Sequence, residues 1–199
     1  RKLSHTYGNT VDFTDEHFYN LNELASEKDL SGLYNRFDTI DPACKKICIA
    51  EFASSSAGHD GNIIGNYGDA IGDAIFNLGC EKNSERMWWT GNGNYASIVG
   101  QCVFGPCIVW NDAVTNFATP SYYVRKMLFS DNQGSYVLPF SQNTRHCYWS
   151  TTVDTDGGKN DILLKVANNS GEPETVEIQL KGVRKVNRVG QCTAMTGSP

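Results

Sequence analysis

The sequence has few of the features that mark membrane proteins or nucleic-acid-binding proteins. Its 199 residues contain no apolar run near the roughly 20 residues that span a bilayer, and no charged-then-apolar leader opens the chain. The net charge is -5, and the lysines and arginines are scattered. The basic run at residues 181–188 is interleaved with apolar residues, as on a solvated strand face. We therefore expect neither a membrane span nor a nucleic-acid partner.

Metal-ligating patterns are also missing. No histidine or second close cysteine pair stands near Cys102 and Cys107 to complete four zinc ligands, so we expect no metal and no other cofactor. Cysteine itself is not scarce, since the seven exceed what a cytosolic chain usually carries. Cys102 and Cys107 could close a small disulfide loop. Cys44 and Cys48, on an extended strand, would have Cα atoms roughly 13 Å apart, beyond the ~7 Å limit for a disulfide.

One glycosylation sequon, Asn168-Asn169-Ser170, falls in a turn-like stretch and would be modified only in a secretory compartment. Together with the cysteines it favours a secreted, extracellular or vesicular location, with Asn168 as the glycosylated residue. Arg1 is not a typical natural start and "GSP" is not a typical natural end. We expect the chain to be an interior or processed piece of a longer protein.

The first two thirds of the chain alternate between strand and helix patterns. Residues 65–83 place apolar side chains at i, i+3, i+4 and i+7, the stripe of an amphipathic helix. The order β-α-β-α-β-α predicts a parallel sheet with right-handed crossovers. The predicted strands are residues 9–19, 44–52 and 101–112, and the predicted helices are residues 20–38, 65–83 and 119–132.

The pattern changes after Gly134. Short alternating segments follow, separated by the turn signals "DGGKN" and "SGEPE", and this spacing is typical of antiparallel strands. We therefore predict an α/β domain at residues 1–134 and an all-β domain at residues 135–199.

The stretch "KKICIAEFASSSAGHDGN", residues 45–62, contains a buried strand that ends on an acid. Residues 47–50 show no alternation of apolar and polar side chains, so both faces should be covered, as in a parallel strand. Glu51 then lies at the carboxyl end of that strand, before a polar loop. On this pattern alone, a helix-capping or ion-paired role explains Glu51 better than catalysis does.

Four motifs in order give the chain a family resemblance. They are "DEHFY", "IAEFA", "GDAIGDAIFNLGCEKNS" and "TPSYYVRKMLFSDNQGSYVLP". In this order and spacing they resemble the C-terminal half of the α-L-arabinofuranosidases of glycoside hydrolase family 51, over residues 12–183. The resemblance implies α/β plus all-β architecture: the C-terminal part of a (β/α)8 TIM barrel, strands six to eight, followed by an incomplete antiparallel β-sandwich.

The resemblance also implies an active site at the carboxyl ends of the barrel strands. Glu51 matches the family's catalytic nucleophile. His17 matches the histidine that lies beside the acid/base and tunes it, and Tyr19, on the same strand face, matches a residue that lines the sugar pocket. Trp110 and Asn111, at the end of the expected eighth strand, could contact the sugar, although a tryptophan at such a position more often belongs to the core. In retaining glycosidases a second carboxylate, about 5 to 5.5 Å from the nucleophile, protonates the leaving oxygen.

The family's acid/base is a glutamate that follows an asparagine on the fourth strand, and the chain has no such pair at a strand end. We expect it in the N-terminal half of the same enzyme, in the same or a separate chain. The function expected is that of a retaining α-L-arabinofuranosidase that acts on an arabinose-containing polysaccharide or glycoprotein. The alternative is a catalytically inactive relative that serves as a structural or glycan-binding component of an extracellular assembly, which the unusual loops and extra cysteines would suit.

Overall fold

The computed structural model describes residues 12–18, 35, 38, 46–53, 65–93, 95–99 and 107–197. Within these ranges the chain forms three small sheets, two α-helices whose bounds are described, the second of which widens into a π-helix, and a short 3-10 helix at Asp156–Gly158. Two residues of the predicted helix at residues 20–38, Asn35 and Asp38, are described, and both are helical. Among the helices of the described ranges, none combines the length and the apolar character that crossing a membrane requires.

The first sheet is parallel, as the alternating pattern predicts. It consists of β1 (Thr14–Phe18), β2 (Ile47–Phe52) and β3 (Met87–Asn92) in that order, and both neighbouring pairs run parallel. The start of β2 is completely buried, with Ile47 and Ile49 at 0% exposure. Burial on both faces accounts for the unbroken apolar run of this central strand.

The third strand of this sheet is not where the sequence places it. The strand predicted at residues 101–112 is present in part, as Val109–Asn111, but its predicted place as third strand of this sheet is wrong. β3 follows the long helix at once, and Val109–Asn111 belongs to another sheet. The sequence pattern does not predict β3, because the strand contains Gly91 and Asn92 and both residue types are depleted in strands. The short connection at residues 83–86 is typical of a helix that leads into a strand and would have indicated it.

Helix α1 (Tyr67–Lys82) confirms the amphipathic helix predicted at residues 65–83. It begins with a capping box. The Asn66 side chain accepts a hydrogen bond from the N–H of Asp69 (2.9 Å), and the Asp69 carboxylate accepts one from the N–H of Asn66 (3.4 Å). These bonds satisfy N–H groups that have no partner within the helix and so set where it starts.

The second sheet lies between β3 and the next helix along the chain. Its strands are β4 (Ala96–Ile98), β5 (Val109–Asn111) and β6 (Asn116–Ala118). β4 and β5 pair parallel, and β5 and β6 pair antiparallel. No ladder joins this sheet to β1–β3 within the described residues.

Helix α2 (Pro120–Arg125) continues directly as a π-helix at Lys126–Ser130. Pro120 occupies the first turn, as predicted for the helix at residues 119–132, since proline has no N–H that would need a helical partner there. The helix is therefore confirmed, and the π turn is an addition that the sequence did not indicate.

The third sheet is antiparallel and confirms the change of pattern after Gly134. Its strands are β7 (Tyr136–Val137), β8 (Cys147–Asp154) and β9 (Asp161–Asn168), with β8 in the centre. The position of the domain boundary itself stays a prediction.

The last two of the alternating segments that follow Gly134, residues 174–183 and 184–196, carry no strand structure, although the pattern predicts strands there. The apolar side chains Ile178, Leu180 and Val183 are exposed. A strand needs a neighbour for its N–H and C=O groups and for its apolar face, and the described part of the chain supplies none at this position. In the described residues one three-stranded sheet lies where the sandwich is expected, and the sandwich itself stays a prediction.

Helix α1 is the centre of the core. On the side of the first sheet, Phe76 packs on Phe52 of β2 with ring centroids 4.2 Å apart. On the other side, α1 shares a buried apolar cluster with α2, the π-helix and β9, which consists of Ala70, Ala74, Ile75, Leu78, Val124, Leu128 and Ala167. One helix therefore buries apolar surface against both the parallel sheet and the antiparallel sheet.

A buried ion pair also joins α1 to the antiparallel sheet. Lys165 on β9 contacts the Glu81 carboxylate of α1, and the Lys165 side chain is 3% exposed. Its ammonium group also lies 4.9 Å from the centre of the Phe129 ring. Removal of one member of such a pair leaves the other charge buried without a partner.

We expect Lys165→Met to lower the free energy of unfolding by about 3 kcal/mol, measured by urea denaturation. The matched control is Lys126→Met, which removes an ammonium that lies 2.6 Å from Asp131 at an exposed position and should leave stability almost unchanged. Equal effects of the two substitutions would show that the Lys165–Glu81 pair does not stabilise the contact between helix and sheet.

Candidate active site

Two of the residues singled out from the sequence meet at the carboxyl ends of β1 and β2. His17 and Glu51 are direct register partners of the two parallel strands. The His17 Nδ1 lies 3.5 Å from the Glu51 Oε2. Because carboxyl ends of neighbouring parallel strands lie at the same edge of a sheet, two short motifs far apart in sequence form one cluster there.

A third residue, Asp15, completes the cluster and was missed by the sequence analysis. Its Oδ2 lies 3.4 Å from the Nε2 of His17, so each ring nitrogen of the histidine faces a carboxylate oxygen. Asp15 lies two residues before His17 on the same strand, and side chains at i and i+2 share one face. That alternation was the signal that could have identified it.

The cluster is open to solvent. The side chains of Asp15, His17 and Glu51 are 41%, 49% and 40% exposed. Two carboxylates and an imidazole in contact can act as nucleophile, general acid or general base on a molecule that approaches this edge of the sheet. The described residues contain no group of three or more His, Cys, Asp and Glu side chains arranged to hold a metal ion.

The strand that carries Glu51 is irregular at this point. Along β1, Asp15 and His17 are two residues apart, whereas their partners on β2, Cys48 and Glu51, are three apart. The backbone N–H of Ala50, within the irregular stretch, donates to Asp15 Oδ1 at 2.9 Å. A side chain thus supplies the acceptor at the position where the backbone ladder shifts.

A layer of polar and aromatic contacts lies behind β2. The Arg125 guanidinium stands 4.6 Å from the centre of the Phe52 ring, and its Nε lies 3.5 Å from Oδ2 of the buried Asp73. Burial raises the pKa of Asp73, and the charge of Arg125 opposes that shift. Arg125 therefore packs on Phe52, the residue that directly follows Glu51, on the side of β2 away from solvent.

Two of the residues expected to contact the sugar lie in a different sheet from Glu51. Trp110 and Asn111 lie on β5 of the second sheet, so they do not end a barrel strand next to Glu51, and that assignment is corrected. A Cβ at Gly65 would lie 3.4 Å from the Trp110 Nε1, which places the indole near the start of α1. A role for Trp110 or Asn111 in sugar binding stays a prediction, and Tyr19 lies outside the described residues.

A separate concavity of about 420 Å³ lies beside α2. Its lining residues are Tyr95, Ile108, Tyr122, Arg125, Lys126, Phe129 and Ser130. Neither Glu51 nor His17 belongs to it, so the reactive groups lie on an open edge rather than in this cavity.

The cysteines give no support to a disulfide framework. No disulfide joins two of the described cysteines, and Cys80, Cys147 and Cys192 are free thiols. Burial raises the pKa of Cys80 to about 12, so this thiol stays protonated and unreactive at neutral pH. The possible partner of Cys107, Cys102, lies outside the described residues.

The sequon begins at the last residue of β9, Asn168, and continues into the bend that follows the strand. The Asn168 Oδ1 accepts from the N–H of Ser170 (2.8 Å), and its Nδ2 donates to the carbonyl of Glu172 (3.0 Å). Glycosylation at Asn168 and a secreted location both stay predictions.

Solved structures with this fold are α-L-arabinofuranosidases. An arabinose-bound family 51 enzyme matches with a TM-score of 0.63 and 20% identity, over 84% of this chain and 27% of the other. The arabinose complex of the Thermotoga maritima enzyme and the thermostable family 51 enzyme of Thermotoga petrophila RKU-1 each match with a TM-score of 0.55 and 16% identity, over 74% of this chain and 36% of theirs. These matches show that the chain shares its fold with part of these enzymes.

The family follows from the sequence itself. Residues 51–199 match the family model of the alpha-L-arabinofuranosidase C-terminal domain. The chain belongs to the α-L-arabinofuranosidases, and the resemblance to glycoside hydrolase family 51 drawn from four motifs is confirmed. No match was found among curated protein sequences. The chain spans about a quarter to a third of the length of the solved enzymes that it matches.

Proposed function

We propose that this chain carries the catalytic nucleophile, Glu51, of a retaining glycoside hydrolase that releases terminal α-L-arabinofuranosyl residues from polysaccharide or glycoprotein. The observation that carries the proposal is the contact of Glu51 with His17 at a solvent-open strand end, with His17 Nδ1 3.5 Å from Glu51 Oε2. An ionised carboxylate in that position is free to approach an anomeric carbon.

The reaction proceeds in two displacements. Glu51 attacks the anomeric carbon as the bond to the leaving oxygen breaks, and a second carboxylic acid gives its proton to that oxygen. Water then attacks the anomeric carbon of the glycosyl-enzyme ester while the second group, now a carboxylate, takes the water's proton, and Glu51 departs as the free carboxylate. Two inversions at the same carbon give net retention.

His17 assists in this scheme by its position between two carboxylates. A neutral imidazole has one N–H donor, which it can direct either to Asp15 or to Glu51. A donor directed to Glu51 stabilises the ionised form that the first displacement needs. The imidazole also separates Asp15 from Glu51, which supports a role for Asp15 other than that of the second catalytic carboxylate.

The acid/base is proposed to come from the N-terminal half of the same enzyme, in the same or a separate chain. The described sheet has three strands, with β1 and β3 at its edges, whereas a closed barrel of this class has eight. Further strands beside them would complete the cleft around Glu51. Tyr19, Trp110 and Asn111 are proposed as contacts of the arabinose-containing glycan.

Covalent labelling tests the proposal directly. A cyclophellitol-type or aziridine probe with the arabinofuranose configuration should react with Glu51 in the intact enzyme, because ring opening by the nucleophile leaves a stable ester. Peptide mass spectrometry after digestion would locate the adduct. Attachment to any other residue would refute the assignment of Glu51, and competition by free arabinose would show that the label enters through the sugar site.

A further inference from the structure

The strand β2 contains a bulge around Ala50 that is visible from both of its neighbours, at Ile49 and Ala50 on the β1 side and at Ala50 and Glu51 on the β3 side. On the β1 side, one residue separates Asp15 from His17, while two separate their partners Cys48 and Glu51. On the β3 side, two residues of β2 again stand opposite one, since Ile49 and Phe52 pair with Thr90 and Asn92. Bulges bend a strand and re-aim a side chain, and they are frequent beside active sites.

The β1 neighbour accommodates the bulge through a carboxylate. Asp15 Oδ1 accepts the Ala50 N–H at 2.9 Å, while its Oδ2 lies 3.4 Å from the Nε2 of His17. One side chain therefore holds both the backbone amide that precedes Glu51 and the histidine that contacts Glu51. An unpaired amide at this position would leave the bulge free to relax.

The β3 neighbour accommodates the bulge through two glycines. A Cβ at Gly91 would lie 2.7 Å from the Ala50 carbonyl oxygen, and a Cβ at Gly93 would lie 2.7 Å from Cγ and 3.1 Å from Oε1 of Glu51. Gly93 also donates its N–H to the Phe52 carbonyl at 2.7 Å. Here it is the close approach of two strands that requires glycine, because any side chain would displace the bulge or the carboxylate itself.

We propose that Asp15, Gly91 and Gly93 are positioning residues that hold the bulge around Ala50 and thereby aim the Glu51 carboxylate for attack. None of them needs to touch the substrate. The inference rests on the proposed function, in which Glu51 is the nucleophile, and adds the device that orients it.

The test uses the intact enzyme, with the segment that carries its acid/base, and a dinitrophenyl 2-deoxy-2-fluoro-α-L-arabinofuranoside. The dinitrophenolate departs without protonation, and the fluorine slows hydrolysis of the ester, so the rate of covalent labelling reports attack by the nucleophile. We expect Asp15→Ala and Gly93→Ala to lower the labelling rate at saturating reagent by about 10- to 100-fold, as displacements of about 1 Å do, with little change in the concentration for half-saturation.

Two further variants separate positioning from general damage. Asp15→Asn keeps an oxygen acceptor for the Ala50 N–H and should recover most of the rate lost in Asp15→Ala. Gly171→Ala introduces the same methyl group where nothing lies within 4 Å, and should label at the wild-type rate. If Asp15→Ala does not fold, Gly93→Ala still tests the inference, because its contact is with a flexible side chain.

The outcomes distinguish the two proposals. If wild-type enzyme is labelled on Glu51 but Gly93→Ala and Asp15→Ala are labelled at the wild-type rate, the positioning inference is overturned and the nucleophile assignment stands. If wild-type enzyme is not labelled on Glu51, the proposed function fails, and the positioning inference fails with it.

Discussion

Glu51→Gln should abolish measurable hydrolysis of an aryl α-L-arabinofuranoside by the intact enzyme, a loss on the order of 10⁴-fold or more, without a change in its melting curve. The amide keeps the volume and the neighbours of the carboxylate but cannot form the glycosyl ester. Since the side chain is 40% exposed and lies at a strand end, the substitution leaves the core untouched. Initial rates and thermal denaturation of the same preparations give the two measurements.

A matched control and a rescue sharpen this result. Glu16→Gln changes the next carboxylate on β1, which alternation directs to the opposite strand face, and should retain activity. Glu51→Gly should regain turnover of an activated aryl substrate when azide is added, with azide forming the bond to carbon as the phenolate leaves. The product should be the β-azide, because a single displacement inverts the anomeric centre. Wild-type rates in Glu51→Gln would remove Glu51 from the mechanism.

The second large effect concerns the rest of the barrel. The 199-residue chain expressed by itself should show no hydrolysis of unactivated arabinofuranosides and should be poorly soluble. The acid/base alone contributes roughly 10² to 10⁴-fold to rates of this kind. An open parallel sheet also leaves strand edges and apolar faces without partners. Co-expression with the N-terminal half should restore both solubility and activity.

Exposed aromatic residues lie at the sheet edge that we propose the N-terminal half to cover. Trp88 and Trp89 of β3 are 55% and 45% exposed and stack edge-to-face on Phe13, with centroid separations of 5.5 and 6.4 Å. Activity assays and size-exclusion chromatography of the chain with and without its expected partner would measure the effect. A soluble monomer that melts cooperatively and hydrolyses arabinofuranosides by itself would contradict the half-barrel proposal.

The elements that the sequence predicts correctly are those with a strong local pattern. The buried run of β2 and the amphipathic stripe of α1 each depend on residues within one segment, so their periodicity survives any tertiary arrangement. The neighbouring positions of His17 and Glu51 follow from two motifs at the ends of successive parallel strands. β3 was not predicted because it contains Gly91 and Asn92, two residue types that are depleted in strands. Gly91 is needed there by the close approach of the Ala50 carbonyl oxygen on β2.

The sequence by itself determined the family, the two neighbouring strands and the long helix at the site, and the two side chains that meet at its centre. Only the tertiary structure decided how Glu51 is aimed. The shift of register, the Asp15 carboxylate on the Ala50 amide and the space kept by Gly93 all depend on which atoms of one strand approach another. Such approaches join residues far apart in the chain, as in the hydrogen bonds from the Ala50 N–H to Asp15 Oδ1 (2.9 Å) and from the Gly93 N–H to the Phe52 carbonyl (2.7 Å). No periodicity within a single segment encodes them.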